Sequence, residues 1–259
     1  MGYGDEIMVT GEARRRQEAG DPRPVAVLDR HGRPRRHPLW AGNPRIATPE
    51  AVARGLDVQT IVNGPGCRPY IDYGRTTATC WAYTDWRATP GELYDIERRK
   101  PQDYVIVEPH IKAKASPNKD WGWERWQALV GRLDLDWVQL GPPSTRLLDG
   151  VRHIETATFL AACRALTGAR AAVLPEGGPH HAAAALGVPA VVIFGAMTSP
   201  ANTGYDLHVN LYEPADGVPA GRSLGEGGPC GMRVPCGHCA RAMARIEPDT
   251  VASHLEQLL

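Results

Sequence analysis

Short apolar runs alternate with amphipathic stretches along most of the chain. Runs that predict buried strands occupy residues 24–29, 58–64, 104–111, 137–141, 171–178 and 189–195. Apolar positions at helical spacing predict helices over residues 123–133, 156–166, 180–187 and 247–259. Gly187 is suited to end the third of these helices in a left-handed conformation. Strands that alternate with helices predict an α/β protein built from parallel βαβ units.

The alternation of apolar runs with amphipathic stretches is not equally clear along the whole chain. It is clear from about residue 104 onward, whereas residues 29–46 are rich in Pro, Gly and Arg and predict loop. Residues 74–100 mix aromatic and polar side chains without a clear period, and a second irregular region is expected over about residues 201–240. We therefore expect a domain boundary near residues 98–103, with one domain over 1–102 and another over 103–259.

Composition narrows the class of protein. The 259 residues are 42% hydrophobic, which suffices for a core and excludes a wholly disordered chain. Lys plus Arg equals Asp plus Glu at 29 each, which argues against a generic polyanion-coating protein but not against a local basic groove. No apolar run approaches a membrane span of roughly 20 residues, and the N-terminus lacks a signal-peptide layout. We expect a cytoplasmic protein, either a monomer or a weak oligomer.

The strongest chemical signal lies in residues 171–200, which predict a strand, a glycine turn, a helix and a strand. Ligands of open parallel sheets bind beyond the carboxyl ends of the strands. Gly177 and Gly178 let the backbone approach a ligand, and the N–H groups of the following helix suit a diphosphate. Glu176 is placed to accept hydrogen bonds from sugar hydroxyls, and His181 to reach a phosphate or sugar oxygen. The alternative is structural, because any βαβ unit needs a turn and an early helical His is often a cap.

This segment, PEGGPHHAAAALGVPAVVIFGAMTSP, resembles the C-terminal signature of glycosyltransferase family 9, the ADP-heptose:lipopolysaccharide heptosyltransferases. Gly178 and His181 match its Gly and His, and Thr198 begins its T-x-P turn. Glu176 stands where the family usually has Asp, and Gly177 where it has Ser or Thr. The resemblance implies a GT-B-like fold of two Rossmann-like αβα domains with parallel sheets, the N-terminal one abbreviated.

A second resemblance covers residues 105–133. Lys119 matches the family's Lys that contacts the donor diphosphate, and Trp121 matches its Trp, while Gly122 replaces a Pro. A lone loop Lys is otherwise most often a solvated side chain. Residues 137–145 match the strand and turn where the family often holds the nucleoside with a carboxylate; none occurs here, and Ser144 or backbone groups are the expected substitutes.

A third resemblance lies in residues 2–15, which match the family's N-terminal Gly-Asp loop and helix through Gly4 and Asp5. The resemblance implies that Asp5 is the general base that deprotonates the acceptor hydroxyl. The structural alternative is a helix cap. The family's strand before this loop has no counterpart, since only Met1 precedes the match; we expect this strand to be absent or to belong to a longer chain.

The C-terminal region carries a cysteine cluster at Cys230, Cys236, His238 and Cys239. Three thiolates and an imidazole can hold a tetrahedral Zn²⁺, but the spacing is not that of a standard knuckle. Reduced thiols are the favoured interpretation, structural zinc is the less favoured one, and a disulfide comes last. We therefore expect no required metal or other cofactor.

Basic side chains in the first half bear on the acceptor. Arg14–Arg16 and Arg33–Arg36, with His31 and His37 nearby, suit either a polyanionic acceptor or a solvated surface. Arg68 and Tyr70 lie near a glycine-rich turn and are candidates for the rim of an acceptor cleft.

The resemblance implies an inverting, metal-independent glycosyltransferase that moves a sugar from a nucleoside-diphosphate donor to an acceptor hydroxyl. The acceptor is expected to be a lipopolysaccharide-type glycan or a hydroxymethylated base in phage-type DNA. The alternative from another class is a non-catalytic nucleotide-sugar-binding or assembly protein. A dinucleotide-dependent oxidoreductase is disfavoured because no G-x-G-x-x-G follows a strand.

Overall fold

The computed structural model describes residues 2–112, 115–214 and 228–259. The strands within these ranges are β1 (Val25–Leu28), β2 (Gln59–Val62), β3 (Tyr104–Val107), β4 (Asp136–Gly141), β5 (Arg152–Glu155), β6 (Ala171–Pro175), β7 (Ala190–Gly195) and β8 (His208–Tyr212). The α-helices are α1 (Tyr3–Glu18), α2 (Pro49–Ala53), α3 (Trp123–Val130), α4 (Phe159–Leu166), α5 (Gly178–Leu186), α6 (Pro200–Thr203), α7 (Gly237–Arg245) and α8 (Pro248–Glu256).

The central element is a six-stranded parallel sheet with the strand order β5-β4-β3-β6-β7-β8. Three of its four inner strands, β3, β6 and β7, are buried along their whole length, which explains their continuous apolar sequences. A separate two-stranded parallel sheet pairs β1 with β2 in the first hundred residues. The predicted α/β class is confirmed, and the earlier part of the chain contributes the smaller sheet.

Helices cover both faces of the six-stranded sheet. On one face a core contains residues of α1, α4 and α5; on the other, a second core contains residues of α3, α7 and α8. Trp121 and Trp126 are each 1% exposed and lie in the second core, where their rings meet edge to face. The indole N–H of Trp121 donates to the Ile246 carbonyl at 2.8 Å. These two tryptophans therefore pack in the core.

Three details differ from the sequence-based expectations. Strands β5 and β8 were not predicted, and β8 and the start of α7 lie in the region expected to be irregular. Both strands form the edges of the sheet and mix polar with apolar residues, so neither has a long apolar run. Strand β3 ends at Val107, before Pro109, which cannot donate to a ladder. Residues 215–227 of the expected irregular region lie outside the described residues.

Hydrogen bonds tie residues 83–88 to the sheet region. The Tyr83 hydroxyl donates to the Met197 carbonyl at 3.0 Å. The Asn202 side-chain amide donates to the carbonyls of Thr84 and Trp86 at 2.9 and 3.0 Å, and the Ala88 N–H donates to the Asn202 carbonyl at 2.8 Å. The two-domain division at residues 102 and 103 stays a prediction. Within the described ranges, no helix has both the length and the apolar character needed to cross a bilayer.

Candidate active site

The candidate site lies at the carboxyl edge of the six-stranded sheet, where strand order changes direction. Strand β3 is followed in the chain by β4 on one side, while its other neighbour is β6. The ends of β3 and β6 therefore flank a crevice at a topological switch point. The loop after β3 carries Lys119, and the turn after β6 carries Glu176.

Lys119 and Glu176 form a direct ion pair across this crevice. The Lys119 side chain is 16% exposed and that of Glu176 is 6% exposed. Burial raises the pKa of Glu176, but the Lys119 ammonium and then His180 outweigh it, so this pKa lies below its ordinary value. The second Glu176 oxygen accepts a hydrogen bond from the Thr203 hydroxyl at 3.4 Å. The pair places a nearly buried cation beside a nearly buried anion at the sheet edge.

The turn between β6 and α5 is held by His180. Its Nδ1 accepts the Gly177 N–H at 2.9 Å, so Nε2 carries the ring proton and donates to the Thr203 carbonyl at 2.8 Å. Burial, the largest effect, lowers the pKa of His180. Gly177 is extended, and Gly178 begins α5. The N-terminus of α5 thus begins next to Glu176, as expected for an anion-binding turn.

His181 joins α5 to α1. Its Nδ1 lies 2.6 Å from the Tyr205 hydroxyl, and the side chain is 2% exposed. A Cβ on Gly4 would lie 2.3 Å from Cδ2 of His181, so only glycine lets the two helices approach this closely. Burial lowers the pKa of His181 well below its ordinary value, and this imidazole is neutral. His181 therefore fixes the start of α1 against the start of α5.

Asp5 lies in the first turn of α1 and is 7% exposed. Its Oδ2 accepts the Gly2 N–H at 3.0 Å and the Arg68 Nε–H at 3.1 Å. Its Oδ1 accepts a hydrogen bond from the Tyr70 hydroxyl at 2.6 Å. Burial, and then the Asp5 charge, raise the pKa of Tyr70 well above its ordinary value, so this hydroxyl remains a donor. Asp5, Arg68 and Tyr70, chosen separately from the sequence, form one cluster.

The Asp5 cluster lies next to the turn that carries Glu176, because Gly4 of α1 packs directly against His181 of α5. The Glu176 charge contributes to the raised pKa of Tyr70 and of Tyr83, both of which are buried. The Tyr83 hydroxyl lies 3.0 Å from that of Thr198, which is 3% exposed. Most of the predicted residues therefore converge on one place. Ser144 is exposed in the turn after β4 and is not among the residues that line the cavity at this edge.

A cavity of about 330 Å³ opens at the same sheet edge. Its walls come from the ends of β3, β4 and β6 and from α4 and α5, and they are mainly apolar. Tyr3 and Phe159 stack in its wall with ring centroids 4.3 Å apart. Glu108, directly after β3, supplies a carboxylate, and its Oε1 accepts the His110 N–H at 2.9 Å. Glu108 is not among the residues predicted from the sequence, although a carboxylate directly after the clearest strand is a signal for a site residue.

The basic side chains expected to suit a polyanion are engaged by carboxylates. Arg35 pairs with Glu6 at 2.7 Å, and the other five pairs are Arg14 with Glu18, Arg15 and Arg16 with Glu12, Arg33 with Asp29, and Arg36 with Glu50. These partners neutralise much of the positive charge that the arginine runs indicate.

The cysteine cluster, defined as Cys230, Cys236, His238 and Cys239, is brought together beside the loop of Lys119. The sulfurs of Cys230 and Cys236 are 3.7 Å apart, and the Cys236 sulfur is 3.7 Å from His238 Nδ1. A hydrogen bond from Cys239 lowers the pKa of Cys230. All six cysteines are reduced in this structure.

Comparison with known proteins gives structural matches only. No protein-family model matches the chain, and no curated protein matches it. The solved structure of TibC, an iron-containing dodecameric glycosyltransferase from enterotoxigenic E. coli H10407, matches with a TM-score of 0.65 and 15% identity, over 100% of this chain and 74% of that chain. The glycosyl transferase family 9 structure from Veillonella parvula DSM 2008 matches with a TM-score of 0.63 and 16% identity, over 100% of this chain and 94% of that chain.

A partial match involves E. coli heptosyltransferase WaaC with ADP, at a TM-score of 0.40 and 15% identity. It spans 60% of this chain and 44% of that chain, so less than half of WaaC is represented. The two full-length matches, in contrast, cover every element described above. The resemblance indicated by the sequence motifs is confirmed at the level of fold: the chain is folded like the heptosyltransferase-type glycosyltransferases.

Proposed function

We propose that the protein is a glycosyltransferase that transfers a sugar from a nucleoside-diphosphate donor to an acceptor hydroxyl, with inversion and without a catalytic metal. The observation that carries this proposal is the Lys119–Glu176 pair beside the N-terminus of α5, with Asp5 in the first turn of α1, where Gly4 packs against His181 of α5. Such a displacement needs a cation and an anion-binding turn for the diphosphate, and a carboxylate for the acceptor hydroxyl.

The diphosphate of the donor binds Lys119 and the first turn of α5. An ammonium has three N–H donors, so Lys119 can keep its bond to Glu176 and still donate to phosphate oxygens. Glu176 has its other oxygen directed to Thr203 and is placed to orient the sugar. Gly177 and Gly178 allow the close approach of the phosphates.

The nucleoside occupies the apolar cavity at the same edge. Its volume of about 330 Å³ falls at the lower end of small-ligand pockets, roughly 300–1,000 Å³. The stacked rings of Tyr3 and Phe159 offer an apolar wall for a base. Glu108 is the carboxylate placed to accept hydrogen bonds from the ribose hydroxyls, in place of the carboxylate missing after β4.

Asp5 acts as the general base. A carboxylate offers about four lone-pair positions, and the Gly2 N–H, Arg68 and Tyr70 use three of them. The remaining lone-pair position takes the proton of the acceptor hydroxyl. At the same time the oxygen of that hydroxyl forms a bond to the anomeric carbon of the sugar. The bond from that carbon to the diphosphate breaks in the same step, and Lys119 with the α5 dipole stabilises the departing charge.

The acceptor is better matched by a glycan than by DNA. The paired arginines leave less positive surface for a polynucleotide backbone than the sequence indicates. Transfer assays at several salt concentrations distinguish the two, since duplex binding weakens steeply with salt. Salt-insensitive transfer to a glycan supports this choice, and steep salt dependence with a modified duplex contradicts it.

A non-catalytic nucleotide-sugar-binding protein is the second candidate. The observation that favours it is the engagement of Asp5, because a helix cap with a structural ion pair has the same three partners. Both candidate functions require binding of the nucleotide-sugar donor, but only the first includes transfer of the sugar to an acceptor.

The first experiment is calorimetry with ADP-, UDP-, GDP- and dTDP-sugars and the nucleoside diphosphates, without added metal. Micromolar binding of one nucleotide class is expected, followed by a transfer assay with that donor. Binding without transfer to any hydroxyl acceptor supports the second candidate. No binding by any member of the panel contradicts both.

A further inference from the structure

The histidine at the junction of α1 and α5 has one ring nitrogen engaged by a tyrosine hydroxyl. The hydroxyl of Tyr205 lies 2.6 Å from Nδ1 of His181, and the two rings meet edge to face with their centroids 5.6 Å apart. Both side chains are buried, at 3% and 2% exposed. Because water does not reach this contact, neither group can exchange its partner for solvent, and the hydrogen bond decides where the imidazole proton lies.

The tyrosine is the donor in this hydrogen bond. Burial, and then the charge of Glu176, raise the pKa of Tyr205 well above its ordinary value, so its oxygen keeps the proton. Burial, His180 and Lys119 all lower the pKa of His181, so its ring carries a single proton. The reverse assignment would leave the buried hydroxyl proton without a partner among the described residues. A neutral imidazole that accepts at Nδ1 carries its own proton on Nε2.

The other ring nitrogen, Nε2, faces the first turn of α1. A Cβ on Gly4 would lie 2.9 Å from it, and Asp5 is the next residue. No group of the described residues hydrogen-bonds to Nε2 of His181. It differs from the two ring nitrogens of His208, which also lack partners but are completely enclosed. The Nε2 proton is therefore free to bond to a ligand at the junction of α1 and α5.

This junction lies between the two carboxylates of the candidate site. One ring nitrogen of His181 is within 4.8 Å of a Glu176 carboxylate oxygen, and the ring packs on the residue before Asp5. Sugar hydroxyls and phosphate oxygens both accept hydrogen bonds, so an uncharged N–H here suits either part of a nucleotide-sugar donor. An Nε2 that already carries a proton cannot take one from the acceptor, which leaves that step to Asp5.

We infer that Tyr205 is a positioning residue that holds His181 in the tautomer with its proton on Nε2, and that this N–H donates a hydrogen bond to an oxygen of the bound donor. Tyr205 acts through His181. The identity of the ligand rests on the proposed function, whereas the tautomer is a property of the protein alone and is measured without any ligand.

The first test is nitrogen-15 nuclear magnetic resonance of the full chain with labelled histidine, at neutral pH. The His181 signals are assigned by their absence in His181→Gln. The wild-type protein should show a bare Nδ1 and a protonated Nε2, and Tyr205→Phe should show both tautomers. Tyr104→Phe is the matched control, because it removes a buried hydroxyl that donates to the Ala165 carbonyl at 2.5 Å and should leave the tautomer unchanged. A proton on Nδ1 in the wild-type protein, or an unchanged tautomer in Tyr205→Phe, overturns the inference.

The second test is calorimetry with the nucleotide sugar that the wild-type protein binds, and it keeps the inference testable if Tyr205→Phe fails to fold. The amide nitrogen of Gln reaches the place of Nε2, whereas that of Asn reaches only the place of Nδ1. His181→Asn should therefore raise the Kd about 2- to 10-fold more than His181→Gln does. Tyr205→Phe should raise the Kd in the wild-type background and leave it unchanged in the His181→Gln background, since Gln has no tautomer to set.

Equal Kd values for His181→Gln and His181→Asn overturn the contact with the donor. Absence of donor binding by the wild-type protein contradicts the proposed function and that contact together. The resonance measurement still decides the role of Tyr205 in that case, so the two failures are distinguishable.

Discussion

The six-stranded sheet and the segment that precedes it are stabilised by different kinds of interaction. Strands β3, β6 and β7 are buried and almost wholly apolar. Helix α1, in contrast, buries three carboxylates, Asp5, Glu6 and Glu12, each at most 7% exposed. Each of these carboxylates is paired with an arginine: Arg68 with Asp5, Arg35 with Glu6, and Arg15 and Arg16 with Glu12.

This difference explains which parts of the structure are determined by local sequence patterns. An apolar strand is stabilised by burial that many side chains can supply, so it tolerates substitutions of similar volume. A buried ion pair depends on two particular side chains that are distant in sequence, and loss of either leaves an uncompensated charge. Four substitutions or conditions, from the largest expected effect to the smallest, test this contrast.

Asp5→Asn should have the largest effect. The amide keeps hydrogen-bonding capacity but cannot take the acceptor proton, so the transfer rate should fall about 10²–10⁴-fold. Donor affinity should stay within about twofold, since the donor groups lie elsewhere. Steady-state kinetics and calorimetry measure the two quantities, and Asp95→Asn, an exposed carboxylate, is the control. An Asp5→Asn protein that retains most of its transfer rate would falsify the assignment of the base.

Arg35→Met tests the stability of the first region. It leaves Glu6 buried and unpaired, and burial already raises the pKa of Glu6, so the free energy of unfolding should fall by about 3–5 kcal/mol. Arg33→Met removes an exposed pair with Asp29 and should cost less than about 1 kcal/mol. Adding Glu6→Gln should restore part of the loss. Equal midpoints of denaturant unfolding for the two single variants would contradict the contrast between the regions.

Lys119→Met tests the donor side. Hydrogen bonds to charged groups contribute about 1.5–3 kcal/mol, so the Kd for the donor should rise roughly 10- to 100-fold. Lys100→Met, an exposed cation in the first region, is the control and should leave the Kd unchanged. Calorimetry measures both. An unchanged Kd in Lys119→Met excludes the proposed contact with the diphosphate.

The smallest effect should be the contribution of one buried histidine, His208, to the loss of stability in acid, and it reports on the sheet region. Burial lowers the pKa of His180, His181 and His208, the last to about 3. Below pH 6.5 the unfolded chain binds protons that the folded chain does not, so stability falls as the pH decreases. Each histidine adds up to about 1.4 kcal/mol per pH unit. Unfolding midpoints between pH 7.5 and 5 measure the slope, which His208→Leu should reduce and His31→Gln, at an exposed site, should not.

The sequence predicts the sheet region well because its information is local. Strands β3, β4, β6 and β7 and helices α3, α4, α5 and α8 follow from apolar spacing, and Gly187 adopts the expected left-handed cap with a φ of 73°. The edge strands β5 and β8 escape prediction, since each packs against only one neighbour and carries polar residues.

The candidate site is predicted only in part. Motifs indicate Asp5, Lys119 and Glu176, but the partners that define their environment are 63, 57 and 57 residues away, respectively. No periodic pattern encodes a pairing over that distance. The contacts of Asn118 could not be predicted for the same reason, because its hydrogen-bond partners at residues 232–236 are distant in sequence.

The hydrogen bonds of Asn202 can be used to detect separation of residues 84–88, in the first region, from the six-stranded sheet region. Its side chain and carbonyl hold residues 84, 86 and 88 against α6 through three hydrogen bonds. Any separation of residues 84–88 from α6 exposes the Ala88 amide to water, and the deuterium-exchange rate of this amide then gives the free energy of that separation. The exchange rate of the Ala88 amide, measured with and without a nucleotide, would show whether nucleotide binding strengthens the contact between residues 84–88 and α6 or leaves it unchanged.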